Sequence, residues 1–215
     1  IHNLSDQPTI ANQFLAELRD VRIQSDRMRF RRNLERIGEV LAYEISRTLP
    51  YENRQVETPL GTTEVALPAR RIVLACILRA GVPLHEGMLH YFDHAGNAFV
   101  SAYRCHHKDG TFEIKLQYVT CPDLEGCELI VIDPMLATGA SMVLAAQELQ
   151  QFGTPAEVHF ASVLACRPGV DYVRRMFPKA HIWTAAIDEE LTAKSYIVPG
   201  LGDAGDLAYG AKLQE

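Results

Sequence analysis

The run Leu129-Ile130-Val131-Ile132 followed by Asp133-Pro134 constrains this chain more than any other stretch. An unbroken aliphatic run is what a strand needs when both its faces are covered, so it predicts an interior strand of a parallel sheet. Proline disfavours helical geometry in the residue before it, so Asp133 is predicted to stay extended and to stand at the strand's carboxyl end. Met135, Leu136, Ala137, Thr138, Gly139, Ala140 and Ser141 follow, and residues 142–152 then read as a helix. The first N–H groups of a helix have no partners within it and suit an anion. On these residues alone the loop has two readings. It is a phosphate cradle, or it is an ordinary capped turn, since Thr and Ser are common N-caps.

The rest of the chain repeats the alternation. Residues 72–78, 99–104, 158–164 and 182–187 read as strands, with helices over 82–92 and 170–176. Strands alternating with helices predict an α/β fold, a mainly parallel central sheet with helices on both faces. Phe112, Ile114, Leu116 and Tyr118 alternate with polar residues and predict a half-exposed strand or ribbon, and residues 55–58 and 64–67 around Gly61 predict a hairpin. Over residues 25–49, Met28, Leu34, Ile37, Leu41 and Ile45 recur at helical steps, with Ser25 as the N-cap. The opposite face of that helix carries Arg27, Arg29, Arg31, Arg32 and Arg36. A net charge of −6 favours a solvated face or an inter-subunit salt-bridge surface there over an RNA contact.

Composition narrows the class. A chain of 215 residues that is 47% hydrophobic can bury one core, and no Ser/Gly-rich linker or charge block divides it, so residues 1–215 are expected to form a single domain. No apolar run approaches the ~20 residues that span a bilayer, and no basic-then-apolar leader opens the sequence. A soluble, cytoplasmic protein without a membrane partner is the expectation. Five cysteines with no Cys-x-x-Cys pair argue against a disulfide framework and agree with a reducing compartment. Cys105, His106, His107, Cys121 and Cys127 fit no common zinc spacing, so no protein metal site is expected from them.

Three motifs in order carry a resemblance that spans nearly the whole chain. The aliphatic strand with Asp133-Pro-Met-Leu-Ala-Thr138-Gly139 and Ser141 is similar to the signature of type I phosphoribosyltransferases, which bind 5-phosphoribosyl 1-diphosphate (PRPP). Most of that superfamily has two adjacent acids there; the single Asp133 before Pro134 resembles the uracil phosphoribosyltransferase branch. Ile77-Leu-Arg79-Ala-Gly81 resembles that family's pyrophosphate loop, and residues 196–206, Tyr196-Ile-Val-Pro-Gly-Leu-Gly202-Asp203-Ala204-Gly-Asp206, resemble its uracil-binding hood. The same stretch also spells Gly-x-Gly-x-x-Gly. Only ten residues follow Gly205, too few for the helix, strand and acid that a dinucleotide fingerprint requires.

The resemblance implies a type I phosphoribosyltransferase fold with a C-terminal hood and a β-ribbon lid, making UMP and pyrophosphate from uracil and PRPP. It assigns Asp133, Arg79 and Arg104 to catalysis. PRPP would be bound by Arg79, Arg104, Asp133, Pro134, Met135, Leu136, Ala137, Thr138, Gly139, Ala140, Ser141 and Asp203, and uracil by Ile197, Gly202, Asp203 and Ala204. The family's pyrophosphate loop often holds a non-proline cis peptide, which the sequence leaves open here; the resemblance implies Mg2+ carried mainly by PRPP, and a homo-oligomer, either dimer or tetramer. The polar segment after Arg104 would be the lid; here it reads Cys105-His106-His107-Lys108-Asp109-Gly110, where the family has acidic residues, Thr-Leu and a proline. Two rival readings are weaker. An RNA-binding regulator on the same fold is supported only by the arginine-rich helix, and a purine phosphoribosyltransferase is opposed by the single acid and the hood.

Overall fold

The computed structural model describes the backbone of residues 1–106 and 112–212, and the side chains of residues 1–101 and 117–212. The chain opens with a short strand β1 (His2–Asn3), helices α1 (Ala11–Arg19) and α2 (Arg27–Ser46), and a hairpin of β2 (Tyr51–Thr58) and β3 (Gly61–Pro68). The alternating part follows: β4 (Ile72–Leu78), α3 (Val82–Leu89), β5 (Gly96–His106), β6 (Phe112–Thr120), β7 (Glu128–Ile132), β8 (Met135–Leu136), α4 (Ala140–Leu149), β9 (Glu157–Cys166), α5 (Arg167–Met176) and β10 (His181–Asp188). A two-stranded ribbon of β11 (Glu190–Leu191) and β12 (Ile197–Val198) leads to α6 (Ala204–Tyr209).

The main sheet runs β1-β10-β9-β7-β4-β5-β6, with β8 also on β9. Every pairing in it is parallel except β5 with β6. From β4 the chain steps outward to β5 and β6, then crosses back to place β7 on the other side of β4 and continues outward through β9 and β10. The strand order therefore reverses between β4 and β7. In open α/β sheets a ligand crevice forms beyond the carboxyl ends of the strands at such a switch point.

Burial explains why β4 and β7 are the most legible elements. Both are covered on two faces, and alternate residues feed two separate cores. Leu74, Ile130 and Ile132 pack with Phe30, Leu34, Ile37, Leu84 and Met88 of α2 and α3. Val73, Ala75, Leu129 and Val131 pack with Met142, Val143, Ala146 and Val170 of α4 and α5.

Several expected boundaries shift for local reasons. Helix α2 is capped by Asp26, not Ser25, because the Asp26 side chain accepts the Arg29 N–H. Met28 is 70% exposed and leaves the apolar stripe to Phe30. It precedes Leu34 by a stretch that turns the helix about 240°, onto another face. Helix α3 ends at Leu89, and α4 begins at Ala140 and passes into a 3-10 turn over Gln150–Phe152.

Candidate active site

A cavity of about 110 Å3 opens at the β4–β7 switch point, lined by Ile77, Leu78, Arg79, Ala80, Asp133, Ser141, Asp203, Gly205 and Lys212. Four separate segments meet there.

The β7 segment supplies Asp133. Its N–H continues the sheet by donating to the Ala161 carbonyl at 3.2 Å, and its Oδ1 accepts the Met135 N–H at 3.3 Å. Pro134 gives its carbonyl to the N–H groups of Val163 and Leu164, so the chain stays beside β9 through β8. The carboxylate is thereby held at the strand's end by backbone geometry, as Asp-Pro predicts. Leu136 is fully buried and turns its side chain into the core. The loop then reaches Gly139, whose φ of +79° lies in the left-handed region. A Cβ there would lie 2.9 Å from the Gly169 carbonyl oxygen, so glycine is required on two counts. The cap differs from the expectation: Gly139 stands at the N-cap without a side-chain bond, and Thr138 Oγ1 accepts the Ala140 N–H at 3.3 Å. Ser141, in the first turn of α4, faces the cavity.

The β4 segment supplies Arg79 on the far side. The Leu78–Arg79 peptide is cis, which settles what the sequence left open. Arg79 Nη2 donates to the Gly210 carbonyl at 3.2 Å and to Asp206 Oδ1 at 3.4 Å, tying the loop to α6. Beneath the site, burial and then the charge of Asp133 push the Cys76 thiol up to about 12, so it is a neutral packing group. The other described cysteines, Cys121, Cys127 and Cys166, are also free thiols whose pKa is raised by burial first.

The third segment is the glycine-rich stretch before α6. Asp203 lines the cavity and caps α6 by accepting the Asp206 N–H at 3.0 Å, so the turn chemistry and the site position coincide. Ile197 and Ala204 are buried, and Gly202 is exposed with φ of +96°. Gly202 and Ala204 flank Asp203 in sequence and Ile197 lies further upstream; none of the three lines the cavity itself.

Lys212, the fourth contribution, was not singled out by any motif. It enters because α6 turns the chain back across the site, and among the described residues it has no carboxylate within ion-pair distance. Ile77, Leu78, Ala80 and Gly205 also line the cavity; they sit inside the recognised motifs but had no role assigned. The Arg104 backbone lies in β5, while its side chain and residues 107–111, including most of the expected lid, are outside the described residues.

Two other clusters bear on earlier expectations. Four of the five arginines of α2 are engaged within the chain: Arg29 with Glu17, Arg32 with Glu35, Arg36 with Asn33 and the Phe14 ring, and Arg31 with the Ala208 carbonyl and the Tyr209 ring. Among the described residues the one trio with metal-ligating spacing is Glu35, Glu39 and His90, which does not line the cavity.

Residues 4–211 match the family described as uracil phosphoribosyltransferase. A uracil phosphoribosyltransferase of Porphyromonas gingivalis is 52% identical over 212 residues, covering 98% of each chain. Among solved structures, the AQ2163 protein from Aquifex aeolicus superposes with a TM-score of 0.86 at 28% identity, over 96% of this chain and 97% of its own. The orotate phosphoribosyltransferase of Mycobacterium tuberculosis H37Rv in complex with PRPP shares the fold, with a TM-score of 0.50 at 12% identity over 87% of this chain and 95% of its own.

Proposed function

The chain belongs to the uracil phosphoribosyltransferase family and transfers the 5-phosphoribosyl group from PRPP to uracil, giving UMP and pyrophosphate; we propose that it does so in the cavity between β4 and β7. The observation that carries this placement is the convergence of Arg79, Asp133, Ser141 and Asp203, from segments far apart in sequence, on one cavity at the switch point.

Displacement at the anomeric carbon builds positive charge on the ribose while the diphosphate leaves with negative charge. Rate enhancement then rests on placement and electrostatics, and no covalent nucleophile is required. Asp133 holds the ribose hydroxyls and stabilises the cationic sugar. The segment from Ala137 through Ser141 takes the 5′-phosphate on the first N–H groups of α4 and on the Thr138 and Ser141 hydroxyls. Arg79 and Lys212 face the departing diphosphate, and the family resemblance gives Arg104 the same role.

Arg79 must exchange Asp206 for the substrate. Its ion pair is 43% and 39% exposed at 3.4 Å. A pair in that setting contributes about 0–1 kcal/mol, so a multiply charged diphosphate displaces Asp206 readily. The donor set also fits Mg2+: Asp133 and Asp203 offer carboxylate oxygens to the cavity, and this ion is usually held by one or two carboxylates together with substrate phosphates. Bound there, it would neutralise charge on the leaving group. Uracil is read by the backbone of Gly202, Asp203 and Ala204, with Ile197 beneath.

The whole chain acts as one domain in this reading, in the cytoplasm and as a homo-oligomer. Support for a second copy comes from the β2–β3 hairpin, in which every residue is exposed and Leu60 at the tip is 100% exposed. An isolated hairpin is at best marginally stable in water, so a partner chain covering it is favoured.

Incubating the purified protein with PRPP, Mg2+ and each nucleobase in turn tests the activity. UMP from uracil is the expected product, and a nucleotide formed only from a purine would overturn the assignment.

A further inference from the structure

The proposed reading of uracil by backbone groups demands that the hood be held still, and one half-buried ion pair grips it just ahead of the reading residues. Arg19, the last residue of α1, forms a fork with Asp188, the last residue of β10: Nη1 to Oδ2 at 2.8 Å and Nη2 to Oδ1 at 2.9 Å. The same two side chains take both backbone polar groups of Gly200. Asp188 Oδ2 accepts the Gly200 N–H at 2.9 Å, and Arg19 Nη1 donates to the Gly200 carbonyl at 3.0 Å. The backbone turns sharply there, since a Cβ on Gly200 would lie 2.0 Å from the Ile197 carbonyl oxygen. Gln24, in the turn after α1, donates to the next carbonyl, that of Leu201, at 3.2 Å.

We propose that Arg19 is a positioning residue for the base site, acting through Asp188 and Gly200 to fix the backbone of Gly202, Asp203 and Ala204 against uracil. Neither side chain lines the cavity, so the effect passes through the hood backbone. The pair is asymmetric in exposure, 24% for Arg19 and 8% for Asp188. Burial alone would raise the Asp188 pKa, but the Arg19 fork and the Gly200 N–H together hold it below its ordinary value, so the carboxylate remains charged and the fork intact through neutral pH. A lysine cannot reproduce a planar two-donor fork while also serving a carbonyl. The α1 residues Leu15 and Leu18 are buried in the core and anchor the guanidinium's own helix.

This inference rests on the uracil reading above, and the test separates the two. Arg19→Lys keeps the charge and loses the fork; the double variant Arg19→Met with Asp188→Asn removes both charges, so neither is left buried alone. Both are assayed with uracil and PRPP varied separately, alongside thermal unfolding. The expected result is a rise of about tenfold or more in KM for uracil, a smaller preference for uracil over cytosine, and a KM for PRPP within about twofold of the parent. An unchanged KM for uracil in whichever variant folds refutes the clamp, as does an equal rise in both KM values, which reports general loosening. A parent protein that makes no UMP refutes the enzyme reading itself.

Discussion

Asp133 illustrates how a single carboxylate can be placed by its neighbours' backbone. Its N–H is spent on the Ala161 carbonyl and one oxygen on the Met135 N–H, which fixes the side chain's direction. Replacing it with asparagine keeps the shape and removes the charge, whose value is greatest when the sugar is cationic. Asp133→Asn is expected to lower kcat strongly with the fold intact by circular dichroism; kinetics within about twofold of the parent would refute the role. Lys212 makes a complementary prediction. It is an exposed cation facing the cavity, and in the proposed reading it binds the diphosphate more than it shapes the fold. Lys212→Met is expected to raise KM for PRPP about tenfold without shifting the unfolding midpoint, and an unchanged KM would remove the lysine from the site.

At the scale of elements, the sequence was most legible where burial on two faces leaves no freedom. Residues 72–78 were read to the residue as β4, and β7 begins one position earlier than its apolar run because Glu128, though charged, is buried at the strand's start with Arg70 and His159 as partners. What stayed illegible depends on distant chain segments. The Arg79–Asp206 contact joins residues 127 apart, and the Arg19–Asp188 fork joins residues 169 apart. No local period announces such pairs. The hood lay between these cases: its glycines and Asp203 were visible as a motif, but the clamp behind it was not. The proposed backbone reading of uracil there carries a prediction of its own. A fixed donor opposite the uracil O4 would meet the amino group of cytosine, and a fixed carbonyl opposite the N3 proton would meet a bare lone pair. Two buried mismatches at about 1–3 kcal/mol each predict at least about a thirtyfold preference for uracil in kcat/KM, since about 1.4 kcal/mol is a factor of ten. Comparable yields of UMP and CMP from a mixed assay would contradict backbone reading.

For the whole molecule, two sets of buried or half-buried titratable groups act on stability in the same direction but in different pH windows. His85 packs under the sheet with Asn97 as its partner, and His2 and His181 stack about Trp183 at the strands' opposite end. Burial lowers all three from the ordinary 6.5; His181 and His159 add to the effect at His2, with Glu44 opposing it, and His159 adds to it at His181, with Glu157 and Glu128 opposing it. Below 6.5 the unfolded chain therefore binds more protons than the folded one, so this part of the stability is full above 6.5 and declines as pH falls through the lower folded values. Asp188 and Glu128 behave as a second set. Burial would raise them, yet Arg19 with the Gly200 N–H, and His159 with Arg70, hold them below 3.8 and 4.5, so their contribution is lost only at more acidic pH. Urea midpoints are thus expected to be level from about pH 8 to 7, to fall in a first step below about 6.5, and to fall again below about 4.5. His181→Gln, which cannot charge, should shrink the first step and leave the second unchanged. A parent midpoint that stays constant from about pH 7 to 5.5 would show that the buried histidines do not govern acid stability.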